Sequence, residues 1–211
     1  MARPYETAHV SELEAIPITE TLVWRPVRRR FDIRAFGTNM YTSEGVGRQI
    51  VEEHIEGSGH EELYVVVRGR ATFTLDGEQV DAPAGTFVFI RDSSVRRVAI
   101  AEEEGTLVLA VGGKPGEPFQ VSPWEFAFAA IPFTRAEQWD EAIPLLEAAV
   151  RERPDSGGAL YNLACIESRA GRRLEALTHL QDAIRREPRL AEQARHDSDF
   201  AAIRREPGFP A

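Results

Sequence analysis

Polar and apolar positions change their rhythm about halfway along the chain. Before residue 112 the apolar positions fall in short runs broken by turn residues, and beyond it Ala, Leu, Glu and Arg recur at helical spacing. Strands are predicted at Gln49–Ile55, followed by a Gly57-Ser58-Gly59 turn, and at Leu63–Val67. In the latter, Glu62, Tyr64 and Val66 share one face and Leu63, Val65 and Val67 the other, which reads as a strand buried on both sides. Ala71–Leu75 alternates and runs into Asp76-Gly77, a strong hairpin signal. Val80, Thr86–Ile90, Val95–Ile100 and Thr106–Val111 continue the series, with further strands between Leu22 and Tyr41. Strands every eight to twelve residues predict a sandwich or barrel.

Gly112-Gly113-Lys114-Pro115-Gly116-Glu117-Pro118 has the composition of an exit loop and excludes helix or central strand. After it, Ala142, Leu146, Ala149 and Pro154 recur as Ala176, Leu180, Ala183 and Pro188, each displaced by 34 positions. That period belongs to helix-turn-helix arrays, in which small alanines allow close helix approach and the proline ends each unit. Pro144 predicts a kink or a late start in the first copy's second helix. Leu190–Phe209 reads as a degenerate third unit or a capping helix.

The organisation predicted is thus a β-barrel domain over 1–112 (core 45–113), a linker over 113–122, and a helical domain over 123–211 with two repeats and a capping tail. The helical half resembles the tetratricopeptide repeat: Leu160, Leu163, Ala164, Ala176, Leu180, Ala183 and Pro188 stand at that family's positions, and Phe126, Ala129, Ala130 and Phe133 stand in the looser first copy. Two repeats fall below the usual three of an independent solenoid, so these helices are expected to pack against the barrel or a second subunit.

The first half resembles the cupin family, the RmlC-like jelly-roll barrels also described as a double-stranded β-helix. Glu62, six residues and Gly69 match the end of its first motif, and Gly85 with the turn Arg91-Asp92-Ser93-Ser94 matches its second. The resemblance implies an α+β multidomain chain, with an all-β cupin barrel first and an all-α tetratricopeptide-like module second. It also implies a divalent metal (Fe, Mn, Zn, Cu or Ni) held by an H-x-H pair, the glutamate and a later histidine. Here an ungapped count places Glu56 and Ser58 at the H-x-H positions and Arg96 at the last one, where a guanidinium has no lone pair to give. With an insertion at the Gly57-Ser58-Gly59 turn, His54 and His60 flank it and can join Glu62 as three ligands with an open position.

Two readings of this constellation follow. No metal is favoured in the first: Arg96 replaces it and binds a small anionic molecule through its planar fork, with Glu62, His60, His54 and Tyr64 lining the site. A plainer role for Glu62 is to pair with Arg96, Arg91 or Arg68. In the second, His54, His60 and Glu62 hold a metal in an isomerase- or dioxygenase-type enzyme, with His60 and Glu62 the catalytic candidates. A protein-interaction adaptor acting through the repeats is a third.

Composition narrows the field. Against 25 Lys and Arg stand 34 Asp and Glu, a formal net charge of −9, which argues against nucleic-acid binding. No apolar run is long enough to span a bilayer, and no signal-peptide core opens the sequence. The single cysteine, Cys165, sits at a repeat-helix position suited to a buried small hydrophobe and fits a cytoplasmic setting. Of the basic residues only Lys114 is lysine, and Arg28-Arg29-Arg30 reads as a solvated connection. Trp24, Trp124 and Trp139 read as packing residues, and His179 as half exposed on a repeat helix. By resemblance to cupins, a homodimer is expected.

Overall fold

Alternation of apolar side chains organises residues 16–113 into ten strands in the computed structural model, which describes residues 5–56 and 59–210. They are β1 (Ile16–Pro17), β2 (Leu22–Arg25), β3 (Gly37–Ser43), β4 (Arg48–His54), β5 (Glu61–Arg68), β6 (Arg70–Leu75), β7 (Glu78–Pro83), β8 (Phe87–Ile90), β9 (Arg97–Ala101) and β10 (Thr106–Gly113). Every pairing is antiparallel. One sheet has the order β1-β2-β3-β10-β5-β8 and the other β4-β9-β6-β7. Ile50, Tyr64, Val66, Phe73, Val88, Ala99 and Val108, drawn from both sheets, form one buried cluster. Trp24 is fully buried and donates its indole N–H to Asn39 Oδ1 at 2.9 Å, which satisfies its one polar atom.

Asp76 and Gly77 both adopt positive φ (47° and 92°) and join β6 to β7. This is the primed turn whose twist matches the flanking strands. Of the predicted Gly57-Ser58-Gly59 turn, Gly57 and Ser58 lie outside the described residues, and Gly59 adopts positive φ (79°).

Four local features differ from expectation. Gly112 and Gly113 belong to β10, a central strand, because Gly112 pairs with Gly37 on one side and Glu62 on the other. Pairing on both flanks outweighs the weak strand preference of glycine. On β5, Tyr64 and Val66 are buried while Val67 is exposed, so the strand is not buried on both faces along its length. The triple-arginine run forms α1 (Val27–Arg30), and Arg28 is buried, donating to the Ile33 carbonyl at 3.2 Å. In the helical half, the helix carrying Pro144 starts at Trp139, which overturns the late-start alternative and leaves the proline inside the helix, and α2 (Pro123–Arg135) likewise contains Pro132.

The chain separates into two compact units, Met1–Gln120 and Val121–Ala211. In the second, α3 (Trp139–Glu152), α4 (Gly157–Arg169), α5 (Arg173–Arg186) and α6 (Leu190–His196) follow α2. Ala142, Leu146 and Ala149, and their counterparts Ala176, Leu180 and Ala183, are all buried. The small side chains let α2 meet α3 and α4 meet α5 closely. Pro154 and Pro188 each follow just after a helix end. Leu190, Ala194, Phe200 and Ile203 close the far side of α4 and α5. No helix among the described residues is long and apolar enough to cross a membrane.

Candidate functional site

Three strand ends meet at one end of the barrel. β4 terminates at His54, β9 begins at Arg97, and these two residues are register partners in the four-stranded sheet. Cross-strand partners project their side chains on the same face. From the other sheet, β5 brings in Glu62 and, two residues on, Tyr64.

Glu62 is the hub. Tyr64 donates its hydroxyl to Glu62 Oε2 at 2.7 Å, Arg97 Nε lies 3.6 Å from the same oxygen, and His54 Nε2 lies 3.8 Å from it. Burial by itself raises the carboxyl pKa of Glu62. The facing His54, the Tyr64 hydroxyl and the Arg97 charge together outweigh this and hold it below the ordinary carboxylate value. The Glu62 carboxylate raises the pKa of His54 against the opposing effect of burial. Burial, followed by the neighbouring Glu62 charge, pushes the Tyr64 phenol up, so Tyr64 acts as a fixed donor. His54 Nδ1 meets the Glu52 carbonyl at 2.7 Å. A carbonyl only accepts, so Nδ1 carries the proton and Nε2 faces Glu62.

Arg97 has no exposed side-chain surface. Its Nη2 donates to the Ser93 carbonyl at 3.4 Å, while Nε and Nη1 have no hydrogen-bond partner among the described residues. A buried N–H left without an acceptor costs about 1–3 kcal/mol. Two on one guanidinium are therefore an unusual concentration of unmet donors.

The expected arginine was Arg96, and the structure places it elsewhere. Arg96 precedes β9, its backbone N–H donates to Asp76 Oδ1 at 2.9 Å, and its exposed guanidinium pairs with Glu53 at 3.3 Å. A one-residue step exchanges the two faces of a strand. The two flanking patterns, Val98/Ile100 and Ala99/Ala101, are both apolar and left that step undecided in the sequence. His60 also stands apart from the hub: it precedes β5, and its ring lies 5.9 Å from Phe119. His54, Glu62 and Tyr64 are brought together, and Ser58 lies outside the described residues.

Glu56 joins them. Single ligand atoms from His54, Glu56 and Glu62 lie within 4.8 Å of one another. One imidazole with its second nitrogen anchored by a backbone carbonyl, and two carboxylates, suit a divalent ion in ligand type and orientation. The residues present therefore fit a metal, with Arg97 rather than a fourth ligand beside Glu62.

Other chemistry-bearing side chains lie in the helical unit. Cys165 is buried, and burial raises its thiol pKa further from any nucleophilic role. His179 Nδ1 lies 2.7 Å from the buried Glu167, which raises the imidazole pKa. Trp139 carries the Arg169 guanidinium 5.3 Å from its ring centre, and Trp124 packs edge-on to Phe128 at 5.1 Å.

Residues 133–204 match the family described as tetratricopeptide repeat. No curated protein matches the chain. Among solved structures, an RmlC-like cupin from Shewanella frigidimarina is 16% identical and aligns over 55% of this chain and 97% of its own, with a TM-score of 0.43. A cupin protein from Bacteroides fragilis is 17% identical over 57% of this chain and 93% of its own, with a TM-score of 0.41. A sugar phosphate isomerase of a cupin superfamily from Silicibacter pomeroyi is 12% identical over 52% and 76%, with a TM-score of 0.44. The strand order and the repeat match carry the fold class: an antiparallel, cupin-like two-sheet β domain followed by a tetratricopeptide-like helical region.

Proposed function

We propose that the β-barrel binds a small anionic molecule anchored by Arg97, and that the helical module serves contacts with a protein partner or a second copy of the chain. The observation that carries the first part is the fully buried guanidinium whose Nε and Nη1 donors have no hydrogen-bond acceptor among the described residues. A carboxylate or phosphate offers the paired oxygens that such a fork accepts. Solvent reaches Glu62 and His54, with 16% and 35% of their side chains exposed, and does not reach Arg97. The ligand thus enters past these two, and its carboxylate or phosphate takes up the Nε and Nη1 donors, for which Glu62 Oε2, 3.6 Å from Nε, stands beyond hydrogen-bonding distance. His54, partly exposed and with Nε2 facing Glu62, is the group suited to pass a proton to or from a bound molecule.

A second reading rests on the convergence of His54, Glu56 and Glu62. Those three residues would hold a divalent ion, which supplies Lewis-acid polarisation of a substrate oxygen. On this reading the activity would be of isomerase or dioxygenase type.

Calorimetric titration of acetate, oxalate and phosphate into the wild type and Arg97→Met, with elemental analysis of the purified protein, separates the two. Saturable binding that weakens at least about tenfold in Arg97→Met supports the anion site. Stoichiometric metal lost in His54→Ala, with anion binding indifferent to Arg97, transfers the function to the ion.

A further inference from the structure

We infer that the outer face of the six-stranded sheet, where it ends at β8, takes a second copy of this chain, with β8 pairing antiparallel to its own counterpart across a two-fold axis. The surface is built wholly from barrel strands and is independent of the anion site.

β5 departs from the usual alternation of a sheet with one wet face. Tyr64 and Val66 are buried in the barrel, yet Leu63, Val65 and Val67 on the opposite face are apolar too. Register extends this outer face sideways: Leu63 stands opposite Phe89 of β8, Val65 opposite Phe87, and Leu109 of β10 flanks Val65 on its other side. Cross-strand partners share a face. Six apolar side chains therefore adjoin, and Phe87, Phe89 and Val67 are 68%, 50% and 46% exposed. A contiguous apolar patch on a sheet marks an interaction surface.

The sheet edges name the occupant. Open edges invite further pairing, and proteins guard them with shortness, proline or charge. β1 has two residues and ends in Pro17, β4 exposes Arg48, Glu52 and Glu53, and β7 exposes Glu78 and Asp81 and ends in Pro83. β8 is the fourth edge, and its Phe-Val-Phe-Ile carries none of these guards. For a chain of net charge −9, a surface without charge is where two copies meet with least repulsion.

Parity sets the register. Centring the axis between Val88 and Phe89 would oppose outward and inward residues, whereas centring it on Val88 puts Phe87 opposite Phe89 of the second copy. The Arg91 guanidinium, 5.6 Å from the Phe89 ring, then faces Gly85 of the second copy rather than its own counterpart. Phe87 and Phe89 leave about 200 Å² open per copy, taking about 150–250 Å² for a whole aromatic side chain. With the rest of the patch and both β8 edges, the two copies cover on the order of 1,000 Å², the size at which specific interfaces begin, which fits a dissociation constant on the order of micromolar.

Sedimentation velocity of the full chain, from about 1 μM to about 1 mM, tests the pairing. A monomer–dimer equilibrium is expected, and Phe87→Glu should move its midpoint at least about tenfold higher in concentration. Phe87→Glu/Phe89→Lys, which sets opposite charges across the axis, should recover dimer, and Phe87→Glu/Phe89→Glu should not. Circular dichroism melting checks that each variant is folded, and Val67→Glu takes the place of Phe87→Glu if that variant is not. A wild type that stays monomeric throughout overturns the proposal. So does a dimer whose midpoint is unmoved by Phe87→Glu and Val67→Glu, which would place self-association elsewhere, in the helical module. No recovery in the opposite-charge variant overturns the pairing of β8 with itself.

Discussion

The buried Arg97 guanidinium has its counter-charge in Glu62, 3.6 Å away, and removing either partner leaves the other uncompensated. Arg97→Met is expected to weaken anion binding about 10–100-fold, the loss of a charge-assisted contact worth about 1.5–3 kcal/mol. It should also lower the melting temperature, and adding Glu62→Gln should restore part of it by removing the stranded charge. Arg96→Ala should leave binding intact and stability within about 0.5 kcal/mol, since its pair with Glu53 is exposed. Calorimetry and thermal denaturation of the four proteins check this set. The histidine gives a pH signature. Its folded pKa lies above the ordinary value of about 6.5, so the stabilisation it contributes is complete below that value. It is lost as pH rises through the raised folded pKa. Glu62, held low, contributes stability above the ordinary carboxylate range that is lost as pH falls through its folded pKa. The pair His179–Glu167 acts with the same sign as His54. Denaturant midpoints measured across pH should therefore decline on the alkaline side in the wild type, and more shallowly in His54→Asn.

Among the elements, the α4–α5 hairpin makes the sharpest stability prediction. A Cβ on Gly157, at the start of α4, would lie 2.8 Å from Glu187 Cγ and 3.0 Å from the Ala183 backbone carbonyl oxygen. Alanine gains up to about 1 kcal/mol in helix propensity over glycine. The clash includes backbone, and overpacking costs about 1–3 kcal/mol. Gly157→Ala is thus expected to be net destabilising, read as a lower denaturation midpoint. Several elements were legible before any coordinates. The Asp76-Gly77 turn, the alternation of Ala71–Leu75 and the 34-residue recurrence are each local or periodic, and periodicity survives in a sequence. β10 was less so: Gly112 and Gly113 look like loop residues, and only their partners Gly37, Glu61 and Glu62 make them strand. Arg28 was misread for the same reason, since its burial follows from neighbours remote from any local pattern.

At the scale of the whole molecule, each unit closes its own buried clusters, one in Met1–Gln120 and two in Val121–Ala211. A fragment of residues 1–120 is expected to unfold cooperatively and to keep the anion affinity of the full chain within a factor of about three. Circular dichroism melting and calorimetry check this, and a non-cooperative melt would show that the barrel depends on the helical unit. The sequence alone determined the two-part architecture, because the period of two in the first half and the 34-residue repeat in the second are set by strand and helix geometry. It also singled out Glu62 and Tyr64, which alternation puts on one face of β5, and His54, whose place beside them follows from the irregular pairing of β4 with β9. What only the tertiary structure decided was the partner set. Arg97 rather than Arg96 faces inward, Glu56 joins the cluster, and His60 stands aside against Phe119. These depend on where β9 begins and on how two strands from different sheets end beside one another, and pairing register is a property of the folded sheet rather than of any one segment.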